Sequence, residues 1–378
     1  MPAADATTTR EAEAAHVEVA GAHQPGAPMR TREQRVLNQV QRPDAYQEVL
    51  IESAGTTSAL SVWDGEHVAP AVLFLPGTMT HPLFYEEFLD ALNLAGLSVV
   101  GLHPAGHGKS PRLRRPRQLT FQTLVDNALD ALGWMGETYP SVPLLVIGSS
   151  QGGVLAMAVA ARSDQPAGVY AHNVLDPALA SSLSVTRAPA WLAPVYPQLR
   201  GSLRLLAKVA PGLRVPFDAY LEMRRVSRDP AVEDYFYTDP LGLRSYPLGL
   251  LGGMLTNDLP GPARCPVVVL AASGDPLFSL EYTREVFDRI DAPAKELVTL
   301  EADPHLLFNE ALDVVLPVLL PRLLSHVSAG SSLAEQDQGR LSAPREARRP
   351  SSGSTWPGDS SPGRCPTAAG RCHLGSPA

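Results

Sequence analysis

The stretch Pro143-Leu144-Leu145-Val146-Ile147-Gly148-Ser149-Ser150-Gln151-Gly152-Gly153 decides the fold. Its first five residues make an apolar run of the kind expected for a parallel strand covered on both faces. From Gly152 to Arg162 the sequence reads as a helix, so a strand passes into a helix across a very short turn. Gly-x-Ser-x-Gly in that strand–turn–helix setting lifts a serine side chain clear of a sheet. Small residues flank Ser150 because the turn is too tight for larger ones, and the Gln151 amide at the helix start points at the same space. The same five letters also occur in plain turns; it is the setting that makes Ser150 a candidate nucleophile.

Working outward, strands and helices alternate. Tyr46–Ser53 and Ser58–Trp63 flank Ala54-Gly55-Thr56-Thr57 and read as an antiparallel hairpin. Ala71–Leu75 is a buried strand ending at Pro76-Gly77, followed by a helix at Leu83–Ala95, a strand at Leu97–Leu102 and a helix at Leu119–Tyr139. After the Ser150 unit comes a strand at Gly168–Leu175, and the alternation then stops for residues 177–262. It resumes with a strand at Val267–Ala271, a helix at Leu280–Ile290, a strand at Glu296–Leu300 and a closing helix at Leu306–His326. Repeated strand–helix units require a mostly parallel central sheet flanked by helices. In such sheets a site forms beyond the carboxyl ends of the strands, and a long insert on that side roofs it.

A serine nucleophile needs a base and a group to orient that base. Asp275 lies in Gly274-Asp275-Pro276, four residues past one strand, and His305 in Asp303-Pro304-His305, five past the next. The order Ser150, Asp275, His305 suits a triad assembled at strand ends. Asp176 and Asp303 compete with Asp275; the first reads more simply as the entrance to the insert, the second as a turn cap. A second oxyanion donor is expected from Pro76-Gly77-Thr78-Met79, with the Thr78 amide ahead of Met79 and beside that of Gln151. Gly106-His107-Gly108-Lys109-Ser110 lacks the spacing of a phosphate loop and reads as a structural turn. No cysteine–histidine spacing suggests a metal, and nothing calls for a cofactor.

Bulk composition narrows the classes further. The chain has 378 residues, 36 of them proline, with 44% hydrophobic, 19% charged and a formal charge of −8. An acidic chain has no general electrostatic reason to bind nucleic acid. The basic run Arg112, Arg114, Arg115 and Arg117 is broken by prolines and reads as a solvated loop, with contact to an anionic headgroup as the alternative. Of the three cysteines only Cys265 lies in the body, which suits a reducing compartment, and the protein is expected to be cytoplasmic. No apolar stretch is long and unbroken enough to span a bilayer. Residues 1–32 and 328–378 are expected to be disordered tails, 33–176 with 263–327 the core, and 177–262 a helical lid holding eleven of the prolines. Its aromatics Trp191, Tyr196, Tyr220 and Tyr235-Phe236-Tyr237 suit a lipophilic substrate or plain packing onto the body, and allow transient contact with a membrane surface.

These residues together resemble an α/β-hydrolase, and within that superfamily the monoacylglycerol lipase and lysophospholipase group, often labelled serine aminopeptidase-like. The resemblance covers roughly 46–327 and rests on the 106–110 turn, the Ser150 turn, Ser227-Arg228-Asp229-Pro230, Tyr237-Thr238-Asp239-Pro240-Leu241, Gly274-Asp275-Pro276-Leu277 and Asp303-Pro304-His305-Leu306-Leu307-Phe308. It implies the α/β-hydrolase fold with a lid, and hydrolysis of lipophilic carboxylic esters through an acyl-enzyme, without a cofactor. The same triad also serves acyl transfer and amide cleavage, and a hydrolase-like body can act as a non-catalytic binding module. Aspartate-nucleophile enzymes of this fold need a carboxylate where Ser150 stands. Three positions depart from the group's pattern: Pro76-Gly77 replaces His-Gly, His103 replaces the Asp before the Gly-His-Gly turn, and Ser149 replaces the His before the nucleophile.

Overall fold

The computed structural model describes residues 38–65 and 67–326. The expected tails, 1–32 and 328–378, lie outside the described residues. An eight-stranded sheet organises the rest: β1 (Tyr46–Ser53), β2 (Thr56–Trp63), β3 (Ala71–Leu75), β4 (Ser98–His103), β5 (Leu144–Ser149), β6 (Pro166–His172), β9 (Val267–Ala272) and β10 (Lys295–Leu300). Their order is β1-β2-β4-β3-β5-β6-β9-β10. β2 is antiparallel to both β1 and β4, while every neighbouring pair from β4 to β10 is parallel. This is the α/β-hydrolase fold.

The strand sequences explain where each sits. β3 (AVLFL) and β5 (LLVIGS) are buried at every position, as central strands covered on both faces must be. Around the sheet lie α1 (Glu86–Leu94), α2 (Phe121–Thr138), α3 (Gln151–Arg162), α8 (Leu280–Arg289), α9 (Leu307–Glu310) and α10 (Leu312–Leu324). α2 starts where the Thr120 side chain accepts the Thr123 amide, and it buries Leu124, Ala128, Ala131, Leu132 and Met135 along one stripe. α2 and α3 pack side by side over β3 and β5, and α1 covers β4 and meets α9. Under the sheet's carboxyl end Phe74, Tyr85, Phe88 and Phe308 form an aromatic knot, with the Phe88 and Phe308 ring centroids 4.5 Å apart.

Three local differences from the sequence expectations have simple causes. The first hairpin turns in two residues rather than four, because Ala54 and Gly55 both adopt positive φ (50° and 70°) and so match the strand twist. The helix expected from Leu83 opens as a 3-10 turn at Pro82–Tyr85 before α1 begins. The closing helix breaks at Ala311, whose φ of −137° leaves the helical region and separates α9 from α10.

Between β6 and β9 lie α4 (Tyr196–Val209), β7 (Arg214–Pro216), α5 (Met223–Val226), α6 (Pro230–Thr238), β8 (Ser245–Pro247) and α7 (Leu248–Thr256). β7 and β8 pair as a small antiparallel sheet, and α4 packs on α7. Arg112 does not project freely from the loop 111–118: its guanidinium donates to the carbonyls of Gly106, Pro240 and Gly242, tying that loop to this connection. Among the described residues no helix is long and apolar enough to cross a membrane.

Candidate active site

Ser150 occupies the junction of β5 and α3 with φ 54° and ψ −113°, a conformation that costs a non-glycine residue about 1–3 kcal/mol. The surroundings leave it no alternative. Its amide donates to the His172 carbonyl at 2.8 Å, and its own carbonyl accepts from Gly153 at 2.8 Å. A Cβ on Gly148 would lie 2.0 Å from the Gly152 carbonyl oxygen, and one on Gly152 would lie 1.9 Å from that of Leu75. The glycines around Ser150 are therefore required by backbone crowding, as well as by the turn.

His305 and Asp275 arrive from the loops after β10 and β9. His305 Nδ1 is 3.0 Å from Asp275 Oδ2, and both side chains are buried. Asp275 Oδ1 accepts from the Leu277 and Phe278 amides at 2.7 and 2.9 Å. Burial alone would raise the Asp275 carboxyl, but the charge and hydrogen bond of His305, with His172 and the Phe278 amide, bring it down to about 2. An ionised carboxylate only accepts, so Nδ1 carries the imidazole proton and Nε2 is the basic nitrogen. The Phe278 ring stacks on the imidazole with centroids 5.6 Å apart, fixing its plane.

Ser150 and His305 both line one cavity of about 20 Å³, together with Gly77, Thr78, Tyr85, Phe217, Leu221 and Phe236. A second cavity, about 40 Å³, touches Ser150 among Val154, Leu175, Val185, Leu221, Met254 and Leu277. Thr78 and Gln151 border this second space too. Among the described residues neither of their amides has an acceptor. The Met79 amide, the alternative donor, is engaged: it donates to the Tyr246 hydroxyl at 2.7 Å. A third cavity of about 230 Å³ also borders His305, lined by Arg225, Ser227, Arg228, Asp303 and Glu310 with Val226, Pro276 and Pro304. A wider cleft, about 660 Å³ beside Phe121, Arg162 and Asp258, contains none of these residues.

The competing acid Asp176 is committed elsewhere, to the Arg289 guanidinium at 2.7 Å and the Ala178 amide. The 106–110 turn precedes no helix and packs inward, with a buried His107 between the Ala105 carbonyl and the Tyr246 hydroxyl. Two neighbours of the site were not singled out from the sequence. Asn173 donates to Asp275 Oδ2 at 3.0 Å, and Tyr246 reaches Met79 from the β6–β9 connection. A polar His172-Asn173 pair closing an apolar strand was a signal for the first; no local pattern marks the second. Among the described residues no group of three or more histidines, cysteines or acids is arranged to hold a metal.

Comparison with known proteins supplies the family. Residues 66–311 match the model described as serine aminopeptidase, S33. The chain is 28% identical over 267 residues to a monoacylglycerol lipase of Mycolicibacterium smegmatis, covering 68% of this chain and 88% of the lipase. It is 25% identical over 287 residues to a monoglyceride lipase of Mus musculus, covering 72% and 88% respectively. Among solved structures, the Paleococcus ferrophilus monoacylglycerol lipase superposes with a TM-score of 0.56 at 21% identity, over 71% of this chain and 98% of that one. A soluble variant of the Saccharomyces cerevisiae monoglyceride lipase gives 0.55 at 17% identity, over 79% and 99%. With the family model spanning well over half its length, the chain belongs to the serine aminopeptidase S33 family, in the monoacylglycerol lipase-like group of α/β-hydrolases.

Proposed function

We propose that the protein is a serine carboxylester hydrolase acting on lipophilic esters of the monoacylglycerol or lysophospholipid type through an acyl-enzyme. The observation that carries this reading is the pairing of a serine in a strained turn with a histidine on the same cavity, the histidine's far nitrogen resting on a buried carboxylate. Ser150 Oγ attacks the acyl carbon while His305 Nε2 takes its proton. Asp275 holds the imidazole and stabilises the cation that forms. The Thr78 and Gln151 amides receive the oxyanion, having no other acceptor among the described residues. His305 then passes its proton to the leaving alcohol, leaving the acyl group on Ser150. Water deprotonated by His305 cleaves that ester and restores the serine. The cavity bordering His305 with Arg225, Ser227, Asp303 and Glu310 offers a path for the alcohol and the water, while the apolar space at Val154, Leu175 and Met254 suits the acyl chain.

Residues 177–262 act as a lid in this reading. Its outer side exposes Trp191 and Val209 (75% each) and Leu205 (64%), with Leu206 and Leu213 close in sequence. Such an apolar face beside Lys208 and Arg214 supports transient contact with a lipid surface. The test is direct. Purified wild type should hydrolyse p-nitrophenyl esters and take a fluorophosphonate at Ser150, and Ser150→Ala should do neither; an alanine variant with wild-type turnover would refute the assignment.

A further inference from the structure

The loop proposed to hold the oxyanion begins with Pro76-Gly77, so its first residue offers neither an amide proton nor a polar side chain to fix its shape. From below, the loop is braced by Tyr85, whose hydroxyl accepts the Gly77 amide at 3.2 Å. From above, it is braced by the segment Asp239–Tyr246. There the Met79 amide donates to the Tyr246 hydroxyl at 2.7 Å, and the Met79 carbonyl accepts from the Leu243 amide at 3.1 Å. His81 Nε2 meets Asp239 Oδ2 at 2.7 Å just beyond. Met79 thus has both backbone polar groups tied to one distant segment, and it sits at φ 61°, a conformation an unbranched side chain adopts only under restraint.

The direction of every hydrogen bond in this chain follows from its neighbours. The Ala105 carbonyl only accepts, so His107 Nδ1, 3.0 Å away, carries that ring's proton. His107 Nε2 is then an acceptor, and the Tyr246 hydroxyl donates to it at 2.7 Å. The hydroxyl oxygen is left to receive the Met79 amide. Burial keeps His107 neutral, holding its pKa down to about 4, so the relay stands at neutral pH. Tyr246 itself is fully buried. One oxygen therefore links the loop at Met79 to the 106–110 turn at His107.

We propose that Tyr246 is a positioning residue for the oxyanion loop: by holding Met79 it aims the neighbouring Thr78 amide at the reacting carbonyl, so that the seating of the β6–β9 connection sets the competence of the site. The assignment rests on the hydrolase reading above. It supplies from the connection the restraint that a side chain at position 76 does not give.

The experiment compares wild type with Tyr246→Phe, His107→Leu and His107→Gln. Tyr246→Phe keeps the ring and removes the hydroxyl; kcat on a soluble ester should fall about 10-fold or more while KM stays within about two-fold. Affinity for an alkyl boronic acid, whose tetrahedral adduct uses the same amides, should fall by the same factor. His107→Leu should act in the same direction, and His107→Gln, which can accept from Tyr246 and donate to Ala105, should restore most of the rate. A Tyr246→Phe enzyme with wild-type kcat and boronate affinity overturns the proposal, as does a loss confined to KM. If Tyr246→Phe does not fold, an equal rate in the leucine and glutamine variants overturns it instead. A wild type that neither hydrolyses esters nor takes a fluorophosphonate would sink the hydrolase reading itself, a result separable from these.

Discussion

The side-chain amide of Asn173 lies 3.0 Å from Asp275 Oδ2, the oxygen that also faces His305. The Asp275 carboxylate therefore receives four donors, two backbone amides on Oδ1 and two side chains on Oδ2. The second amide hydrogen of Asn173 goes to His172 Nε2 at 2.8 Å, which requires that imidazole to be neutral. It is: burial, reinforced by His305, holds the His172 pKa down to about 3. Asn173 takes a left-handed backbone (φ 64°), which asparagine tolerates better than most residues.

Removing that clamp should cost rate more than affinity. Asn173→Ala leaves Asp275 with three donors and His172 with none from this side, and a hydrogen bond to a charged group contributes about 1.5–3 kcal/mol. The expected result is a fall in kcat of about 10-fold or more, with KM little changed. Steady-state kinetics on a soluble ester decides it, and an unchanged kcat would reduce Asn173 to a packing residue.

Asp275→Asn should be far more damaging than Asn173→Ala. The amide is close in shape, but it can donate to the imidazole and stabilise the wrong tautomer, which in Ser-His-Asp enzymes costs about 10⁴ in kcat. Asp275 is held ionised down to about 2, so the wild-type acid limb above pH 4 should not report this carboxylate. An asparagine variant within tenfold of wild type would shift the orienting role to another group.

Stability should climb with pH between about 4 and 6.5. His103, His107 and His172 are all buried, and burial is the leading cause lowering each pKa in the folded protein. Unfolded, each takes a proton near 6.5, so below that value the unfolded chain binds more protons and gains on the folded one. Urea unfolding at pH 7, 6 and 5 should show unfolding free energy falling with a slope approaching about three protons. A flat profile would mean that these rings protonate in place.

Much of this site was legible in the sequence, and the boundary is physical. The Ser150 turn could be read because its constraint is local: Gly148 and Gly152 touch each other's backbone and that of Leu75, so the pattern is forced within a few residues. Asp275 and His305 could be read because both follow apolar strands in the order a parallel sheet brings together. The Asn173–Asp275 and Met79–Tyr246 bonds span 102 and 167 residues, and no periodicity or turn chemistry encodes which distant hydroxyl or amide will complete a loop. Arg112 was read as solvated for the same reason, since its three carbonyl partners include two from a segment more than 120 residues away.

The same crowding makes a stability prediction. Gly152→Ala would drive a methyl to 1.9 Å from the Leu75 carbonyl oxygen, a backbone atom of the central strand that has nowhere to go. Overpacking of this kind costs about 1–3 kcal/mol or more, and here it also pushes α3 and the Gln151 amide away from Ser150. Thermal denaturation should show a lower midpoint, and any folded fraction should react slowly with a fluorophosphonate. A variant of full stability and full reactivity would contradict the packing described for the turn.

Substrate length tests the proposal that residues 177–262 act as a lid. The two spaces touching Ser150 measure only about 40 and 20 Å³, room for very few methylene groups, and Phe217, Leu221, Phe236 and Met254 close them from the β6–β9 connection. A long acyl chain therefore requires that connection to move, whereas an acetyl ester needs little displacement. Trp191, Leu205 and Val209 are exposed on its outer side, so a lipid surface that takes them up would favour the displaced arrangement. Triple substitution of these three by serine should lower hydrolysis of a long-chain monoacylglycerol in phospholipid vesicles several-fold, while p-nitrophenyl acetate in solution is cleaved at the wild-type rate. Equal losses on both substrates would point to damage in the fold, and no loss on vesicles would remove the lipid surface from the account.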